Sequence, residues 1–299
     1  MTQRARLVVD WGTSNFRCYR FAADGTVAQT HQAAAGILGV ADRDFAAVLQ
    51  REIGAWITPD MDIFLSGMIT SRNGWIETPY VEAPARLADL AKAAVVVEAE
   101  NGVNMHFLPG VAMHSPTPDV MRGEEIQVFG VVGEHETATV ILPGTHSKWV
   151  AVRDGALQRF SSFMTGEVFG VLKTHSILGR LMVDAPSDND GQAFLDGVRQ
   201  VSRNETVGLL HDIFTTRSGV LLGQLDAQDS AGRLSGLLIG HEIRDGLAAY
   251  PVTGRLLIVG DAFLAQRYRL ALAEFGIEAE LGSPLASVDG FSRLSALNR

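Results

Sequence analysis

Cysteine is almost absent. Cys18 is the only one in 299 residues, so no internal disulfide can form, and a lone thiol fits a reducing compartment. Long hydrophobic runs are missing too. The most apolar window, AKAAVVVEA from Ala91, falls well short of the roughly 18–20 residues of a membrane span and suits a short buried strand. The opening MTQRARLVVD is too short and too polar for a signal peptide. Positive charge is scarce: 25 Lys and Arg against 34 Asp and Glu leave a net charge of −9. That balance excludes general affinity for nucleic acid or anionic membrane, yet a few local cations can still hold a small anion. Low-complexity stretches and linkers are lacking as well. What is present is a 46% hydrophobic chain, enough for a large core in about one or two domains. The expectation is a globular cytoplasmic protein.

Periodicity alternates between strand and helix. Arg6–Val9, Phe16–Ala22 and Val27–Gln32 read as strands, with Ala23–Gly25 as a hairpin turn. DRDFAAVLQREIGAWI places Phe45, Val48, Leu49, Ile53 and Trp56 on one helical face, with Asp42 or Asp44 as its cap. MDIFLSGMITS runs from a strand into a loop, NMHFLPGVAM gives a short strand and a turn, and DVMRGEEIQVFGVV leads from a loop into a helix. TATVILPGTHSKWVAVRDGALQRF returns to strands, and Glu167–Gly246 is mainly helical. RLLIVGDAFLAQRYRLALAEFG reads as strand, glycine turn and helix, IEAELG as a strand, and SVDGFSRLSAL as a terminal helix. Asp184–Gln192 is the most loop-like stretch.

An internal repeat organises this pattern. A strand, Gly12-Thr13, a second strand and Asp24-Gly25 return as a strand, Gly144-Thr145, a second strand and Asp154-Gly155. The expected division is 1–132 and 133–299, two α/β halves with their glycine turns across one cleft. In the first turn, the backbone N–H groups of Gly12, Thr13, Ser14 and Asn15 can form an anion-binding concavity, with hydroxyls added from Thr13 and Ser14. Asp10 would repel phosphate but can hold Mg²⁺ through water. The bland alternative is a hairpin whose aspartate caps backbone groups. The second turn, Gly144, Thr145, His146 and Ser147, repeats the layout with Leu142 in place of the aspartate, so one copy alone carries a metal site. Lys148 either adds charge there or points to solvent, with solvent favoured.

Three further stretches carry polar groups. Glu124 and Glu125 follow Gly123 at a helix start, where carboxylates are favourable for dipole reasons alone; one of them can also take a proton from a substrate hydroxyl. Arg122 can pair with that carboxylate or with an anionic substrate. SGMITSRNGWIETPY is a dense loop in which Arg72 suits a grip on a carboxylate, with Asn73 and Trp75 beside it. Gly260-Asp261 resembles the strand–glycine–helix entry that cradles a nucleotide.

Together these segments resemble the actin, Hsp70 and sugar-kinase superfamily. VDWGTSNFR, GMITSRNGW, MRGEEIQ, LPGTHSKWV and FMTGEVF resemble, more narrowly, the 2-dehydro-3-deoxygalactonokinases across most of the chain. The resemblance implies an α/β, two-lobed actin-like ATPase (ribonuclease H-like) fold, each lobe a mixed sheet flanked by helices. It implies phosphorylation of 2-dehydro-3-deoxy-D-galactonate at its 6-hydroxyl, with ATP and Mg²⁺ as cofactors, in galactonate breakdown. It also implies Asp10 for the metal, both glycine turns for the phosphates, Gly260 and Asp261 for adenosine, and Glu124 as base in preference to Glu125. Arg72, Asn73, Trp75 and Arg122 are the expected sugar-acid contacts. Glutamate stands where related kinases carry aspartate, and Pro143 stiffens the second turn. Expected partners are the sugar acid and ATP, with no nucleic acid and no membrane; a homodimer is compatible with the chain. The rival readings are a kinase of another sugar acid, such as 2-keto-3-deoxygluconate, and a non-catalytic nucleotide-binding sensor.

Overall fold

Six residues, Arg6–Trp11, form β1, and five of them bury completely or nearly so. A tight turn reverses the chain into β2 (Phe16–Phe21), and a second leads to β3 (Val27–Ala33). In this second turn Asp24 accepts from the Thr26 N–H and Gly25 takes φ +86°, as Asp-Gly turns require. A computed structural model describes residues 5–22, 24–183 and 190–297. Ala23 of that turn, and Asp184–Asn189 of the stretch expected to be a loop, lie outside the described residues.

Helix α1 (Phe45–Ile53) buries Phe45, Val48, Leu49 and Ile53, and Asp44 is its cap, accepting from the Ala47 N–H at 3.0 Å. Then come β4 (Asp62–Ser66), β5 (Val81–Glu82), α2 (Leu87–Lys92), β6 (Val95–Glu98) and β7 (Asn104–Phe107). Next are β8 (Val111–Met113), β9 (Asp119–Met121) and α3 (Glu124–Val131). The first sheet runs β3-β2-β1-β4-β7-β6, with β1, β4 and β7 parallel and the flanking strands antiparallel; β5, β8 and β9 make a small sheet of their own. The apolar window at Val95–Val97 is this sheet's edge strand rather than a buried one. It pairs only with β7 and leaves Val96 54% exposed.

The second half repeats the plan. It contains β10 (Ala138–Leu142), β11 (Ser147–Arg153), β12 (Ala156–Phe163), α4 (Thr165–His175), α5 (Asp190–Ser202), α6 (Leu209–Leu221) and α7 (Ser230–Ala249). After these come β13 (Arg255–Ile258), α8 (Ala262–Glu274), β14 (Glu280–Leu281) and α9 (Ala286–Leu297). The sheet order β12-β11-β10-β13-β14 matches the first sheet over five strands. Asp154 and Gly155, at φ +49° and +68°, close its hairpin. No described helix is long and apolar enough to cross a membrane.

The chain forms two compact units, neither continuous in sequence. One comprises Met1–Glu136, Val152–Arg159 and Leu285–Arg299; the other Thr137–Ala151 and Phe160–Pro284. The expected division at 132/133 treats each half as unbroken, whereas packing returns the terminal helix to the first unit. There α3 and α9 touch backbone to backbone: a Cβ on Gly130 would lie 1.9 Å from the Ala286 carbonyl, and one on Gly290 2.0 Å from that of Ile126. Arg293 caps the same crossing by donating to the carbonyls of Phe129 and Val132 at 2.7 and 2.6 Å. Each unit has its own core, built on Trp11, Phe16 and Phe107 in the first and on Trp149, Phe194 and Tyr268 in the second.

Candidate active site

In the first unit the turn after β1 is rigid in its backbone and open in its side chains. Gly12 N–H donates to the Asn15 carbonyl at 2.9 Å. The carbonyls of Gly12, Thr13 and Ser14 accept from Ile37, Leu38 and Gly36. Gly36 must be glycine, because a Cβ there would lie 2.2 Å from the Thr13 oxygen. Thr13, Ser14 and Asn15 are exposed, and their side chains have no partner among the described residues. Carbonyls tied back and hydroxyls left outward suit an anion.

Asp10, one residue before the end of β1, is in register with Arg17 on β2 and Ser66 on β4. Burial raises its pKa; Arg17, at a long 3.5 Å, opposes this in part, and the charge of Glu124 adds to it. Glu124 is therefore within electrostatic reach of Asp10. Backbone contacts explain the convergence. Gly67, at φ +91° after β4, lies against the Trp11 carbonyl, where an added Cβ would come within 2.9 Å and stand 3.4 Å from an Asp10 carboxylate oxygen. Gly123, at φ +109°, packs on Gly67 in turn and starts α3 beside β1.

The two glutamates at that start differ sharply. Glu125 is fully buried and folds back so that both its oxygens accept from the Gly123 N–H, at 2.9 and 2.8 Å. Burial, then the neighbouring Glu124 charge, pushes its pKa up to about 8. Glu124 stays partly exposed and accepts from the Arg122 N–H at 3.0 Å.

The loop after β4 sorts its residues in the same way. Arg72 and Asn73 are exposed and make no hydrogen bond or ion pair among the described residues. Trp75 faces inward, edge-on to Phe107 with ring centroids 5.7 Å apart, so its indole is part of the core. The Arg122 guanidinium is a clamp. It donates to the Thr70 carbonyl and hydroxyl at 2.8 Å each and to the Thr78 hydroxyl at 2.6 Å and carbonyl at 3.1 Å, and it lies over the Tyr80 ring. With these contacts Arg122 shapes the loop that presents Arg72, a different task from the substrate contact expected of it.

In the second unit Thr145 and His146 are exposed at the turn after β10. Gly166 lets α4 press against this turn, since a Cβ there would lie 2.5 Å from the Gly144 carbonyl. The Glu167 N–H donates to the Thr145 carbonyl at 3.0 Å, and the Glu167 carboxylate meets the His146 imidazole. Ser147 was expected among the phosphate-holding groups. It is instead fully buried, because it is the first residue of β11 and its hydroxyl turns inward to the Tyr268 hydroxyl at 2.9 Å. Lys148, expected in solvent, is 4% exposed and donates to the His146 carbonyl. Tyr268 donates to Glu242 at 2.6 Å and Trp149 to its other oxygen at 2.9 Å. Burial raises the pKa of Glu242 against these hydrogen bonds. Gly260 is exposed after β13, and Asp261 caps α8 by accepting from Phe263 and Leu264 N–H groups at 3.0 and 3.2 Å.

The family model described as 2-keto-3-deoxy-galactonokinase matches residues 10–294. The chain belongs to this family. A relative from Rhizobium meliloti, "Probable 2-dehydro-3-deoxygalactonokinase DgoK1", is 36% identical over 275 residues, covering 90% of this chain and 89% of the relative. The Escherichia coli 2-dehydro-3-deoxygalactonokinase is 29% identical over 273 residues, covering 91% and 90%. Among solved structures, one described as a 2-dehydro-3-deoxygalactonokinase from Sinorhizobium meliloti superposes with a TM-score of 0.88 at 35% identity, over 98% of both chains. The 2-hydroxyisocaproyl-CoA dehydratase activator from Clostridium difficile, at 12% identity and a TM-score of 0.52 over 98% and 94%, shares the fold alone. The fold is that of the actin-like ATPases, as the sequence resemblance implied.

For this family member, sequence reasoning missed the strut of Ser147, Tyr268, Glu242 and Trp149. Its parts lie on three elements, β11, α7 and α8, so no local spacing reveals it. It also missed Arg43, whose Nη2 donates to the Gly74 carbonyl at 2.6 Å. One signal was available for the strut: a glutamate in the apolar run LLIGHEI needs a buried partner.

Proposed function

We propose that this kinase phosphorylates 2-dehydro-3-deoxy-D-galactonate at its 6-hydroxyl with ATP, as a cytoplasmic step of galactonate breakdown. Family membership supports the reaction. The observation that carries the mechanism is the pairing of a partly exposed Glu124 with Asp10 at the meeting of β1, β4 and α3. Glu124 is the base that accepts the acceptor hydroxyl's proton as the oxygen attacks the γ-phosphorus in line. The burial of Glu125 on Gly123 supports Glu124 over it in that role. Thr13, Ser14 and Asn15 are the phosphate-holding groups of the first unit; in the second unit that role falls separately to Gly144, Thr145 and His146. Gly260 leaves space for adenosine while Asp261 holds the helix beside it. Arg72 and Asn73 bind the acid end, and Arg122 and Trp75 support their loop.

Magnesium fits this donor set. Among the described residues no three His, Cys, Asp or Glu side chains cluster as a metal cage. A single strand-end carboxylate, with the unpartnered buried hydroxyl of Ser66 in register beside it, suits an ion that keeps most of its water. Asp10 would hold it, and when bound it supplies charge neutralisation of the transferred phosphoryl group.

The test is an ADP-release assay with ATP, Mg²⁺ and a panel of 2-keto-3-deoxy sugar acids, run on wild type and Glu124→Gln. Turnover on the galacto acid that is lost in the variant supports both substrate and base. Turnover confined to the gluco acid moves the substrate and keeps the mechanism. ATP binding without any turnover makes the protein a sensor.

A further inference from the structure

Two consecutive residues, Asp42 and Arg43, hold left-handed backbone conformations at φ +52° and +58°. Neither is glycine, so each carries a steric cost that local sequence does not explain. They lie at the far end of a strap whose near end, Gly36–Leu38, is hydrogen-bonded to the carbonyls of Gly12, Thr13 and Ser14. At the far end the Arg43 side chain crosses the Phe45 ring, 5.8 Å from its centroid, and Nη2 donates to the Gly74 carbonyl at 2.6 Å. Gly74 itself is tightly packed: a Cβ there would lie 2.1 Å from the Ile69 carbonyl. Arg43 thus joins the first turn to the loop that carries Arg72 and Asn73. The Nε and Nη1 donors of Arg43 have no partner among the described residues, and its acidic neighbour Asp44 is engaged as the cap of α1. In a chain of net charge −9, two exposed guanidiniums are thereby fixed to one loop, Arg72 two residues from the carbonyl that holds Arg43.

We propose that Arg43 is a specificity-determining residue that binds the acceptor's carboxylate together with Arg72. This rests on the sugar-acid reading above. A loop needing only a strut could take a neutral donor at this position. A guanidinium with spare donors adds charge-assisted hydrogen bonds, which are about twice as strong as neutral ones and match a planar carboxylate.

The experiment compares wild type, Arg43→Gln, Arg43→Lys and Arg72→Gln on 2-dehydro-3-deoxy-D-galactonate and on its neutral carboxamide, with KM for ATP and thermal melting measured on each. Glutamine removes the charge but ends two bonds short of the Nη2 that meets Gly74, so the acid-over-amide preference, rather than KM alone, separates charge from bracing. The expected result for Arg43→Gln is a KM for the acid raised roughly 10- to 100-fold. KM for ATP should stay unchanged and the melting temperature should fall only slightly, with the lost brace to Gly74, while the preference for acid over amide should collapse. Arg43→Lys should restore part of that preference. If Arg43→Gln keeps the wild-type preference, or raises KM equally for acid and amide, Arg43 is only a strut and the proposal is overturned. If wild type itself transfers nothing to the acid, the substrate reading falls first and takes this one with it.

Discussion

The two glycine turns share a plan and differ in what they expose. Each follows the first strand of a sheet, each contains Gly-Thr, and each precedes a strand ending at an Asp-Gly hairpin. In the first, Thr13, Ser14 and Asn15 all face solvent. In the second, only Thr145 and His146 do, while Ser147 and Lys148 turn inward. Aligning the copies by Gly-Thr sets Asn15 against Ser147, but the strand begins after Asn15 in one and at Ser147 in the other. One residue of difference in where pairing starts decides whether a polar group points out or into the core. The first turn is therefore built to offer groups, and the second is braced from beneath by a buried carboxylate network.

That contrast can be tested by unequal damage. The largest effect belongs to the carboxylates beside the first turn: Glu124→Gln or Asp10→Asn should lower kcat by about 10²- to 10⁴-fold with the melting temperature nearly unchanged. A loss of folding in either variant would make these residues structural. Glu242→Leu should do the opposite. It orphans the Trp149 and Tyr268 donors and should cost about 2–5 kcal/mol of stability, read by denaturant unfolding; unchanged stability would show that the strut braces nothing. A smaller contrast follows for the hydroxyls. Ser14→Ala should raise KM for ATP roughly several-fold without destabilising the fold, whereas Ser147→Ala should lower the melting temperature first. Equal KM effects from both would erase the distinction between the turns.

The last contrast is a pH dependence, small per pH unit and spread over several units. The folded-state pKa of Glu125 is raised to about 8 from an ordinary 4.5, so the folded protein binds the extra proton between those values. The contribution of Glu125 is fully present below its unfolded pKa and is lost as pH rises through about 8. Relative to Glu125→Gln, wild-type stability should therefore decline between about pH 5 and 8, by at most about 1.4 kcal/mol per pH unit. Parallel stability profiles would show Glu125 ionised throughout.

Much of this was legible in the linear pattern. The apolar run at Arg6–Val9, the helical spacing of Phe45 to Ile53 and both Asp-Gly hairpins are signals within a few residues, and each became the element expected. The choice between Glu124 and Glu125 was legible only as a preference, since both are the same residue type at one helix start. Their separation needed Gly123 at φ +109°, which turns Glu125 back onto its N–H. Trp75 reads as a contact because it sits in a polar loop, and Arg122 because it adjoins the two glutamates. Their actual partners, Thr70, Thr78 and Phe107, are set by sheet packing.

By itself the sequence determined the repeated strand–turn–strand plan, the family and the residue types available for phosphoryl transfer. These depend on side-chain period, glycine placement and local spacing, all of which a chain carries before it folds. Tertiary structure decided which of those residues reach solvent. Burial of Ser147, Lys148 and Glu125, the clamp of Arg122 and the strap of Arg43 depend on contacts between distant segments, and accessibility follows from what packs over a side chain rather than from its neighbours in sequence.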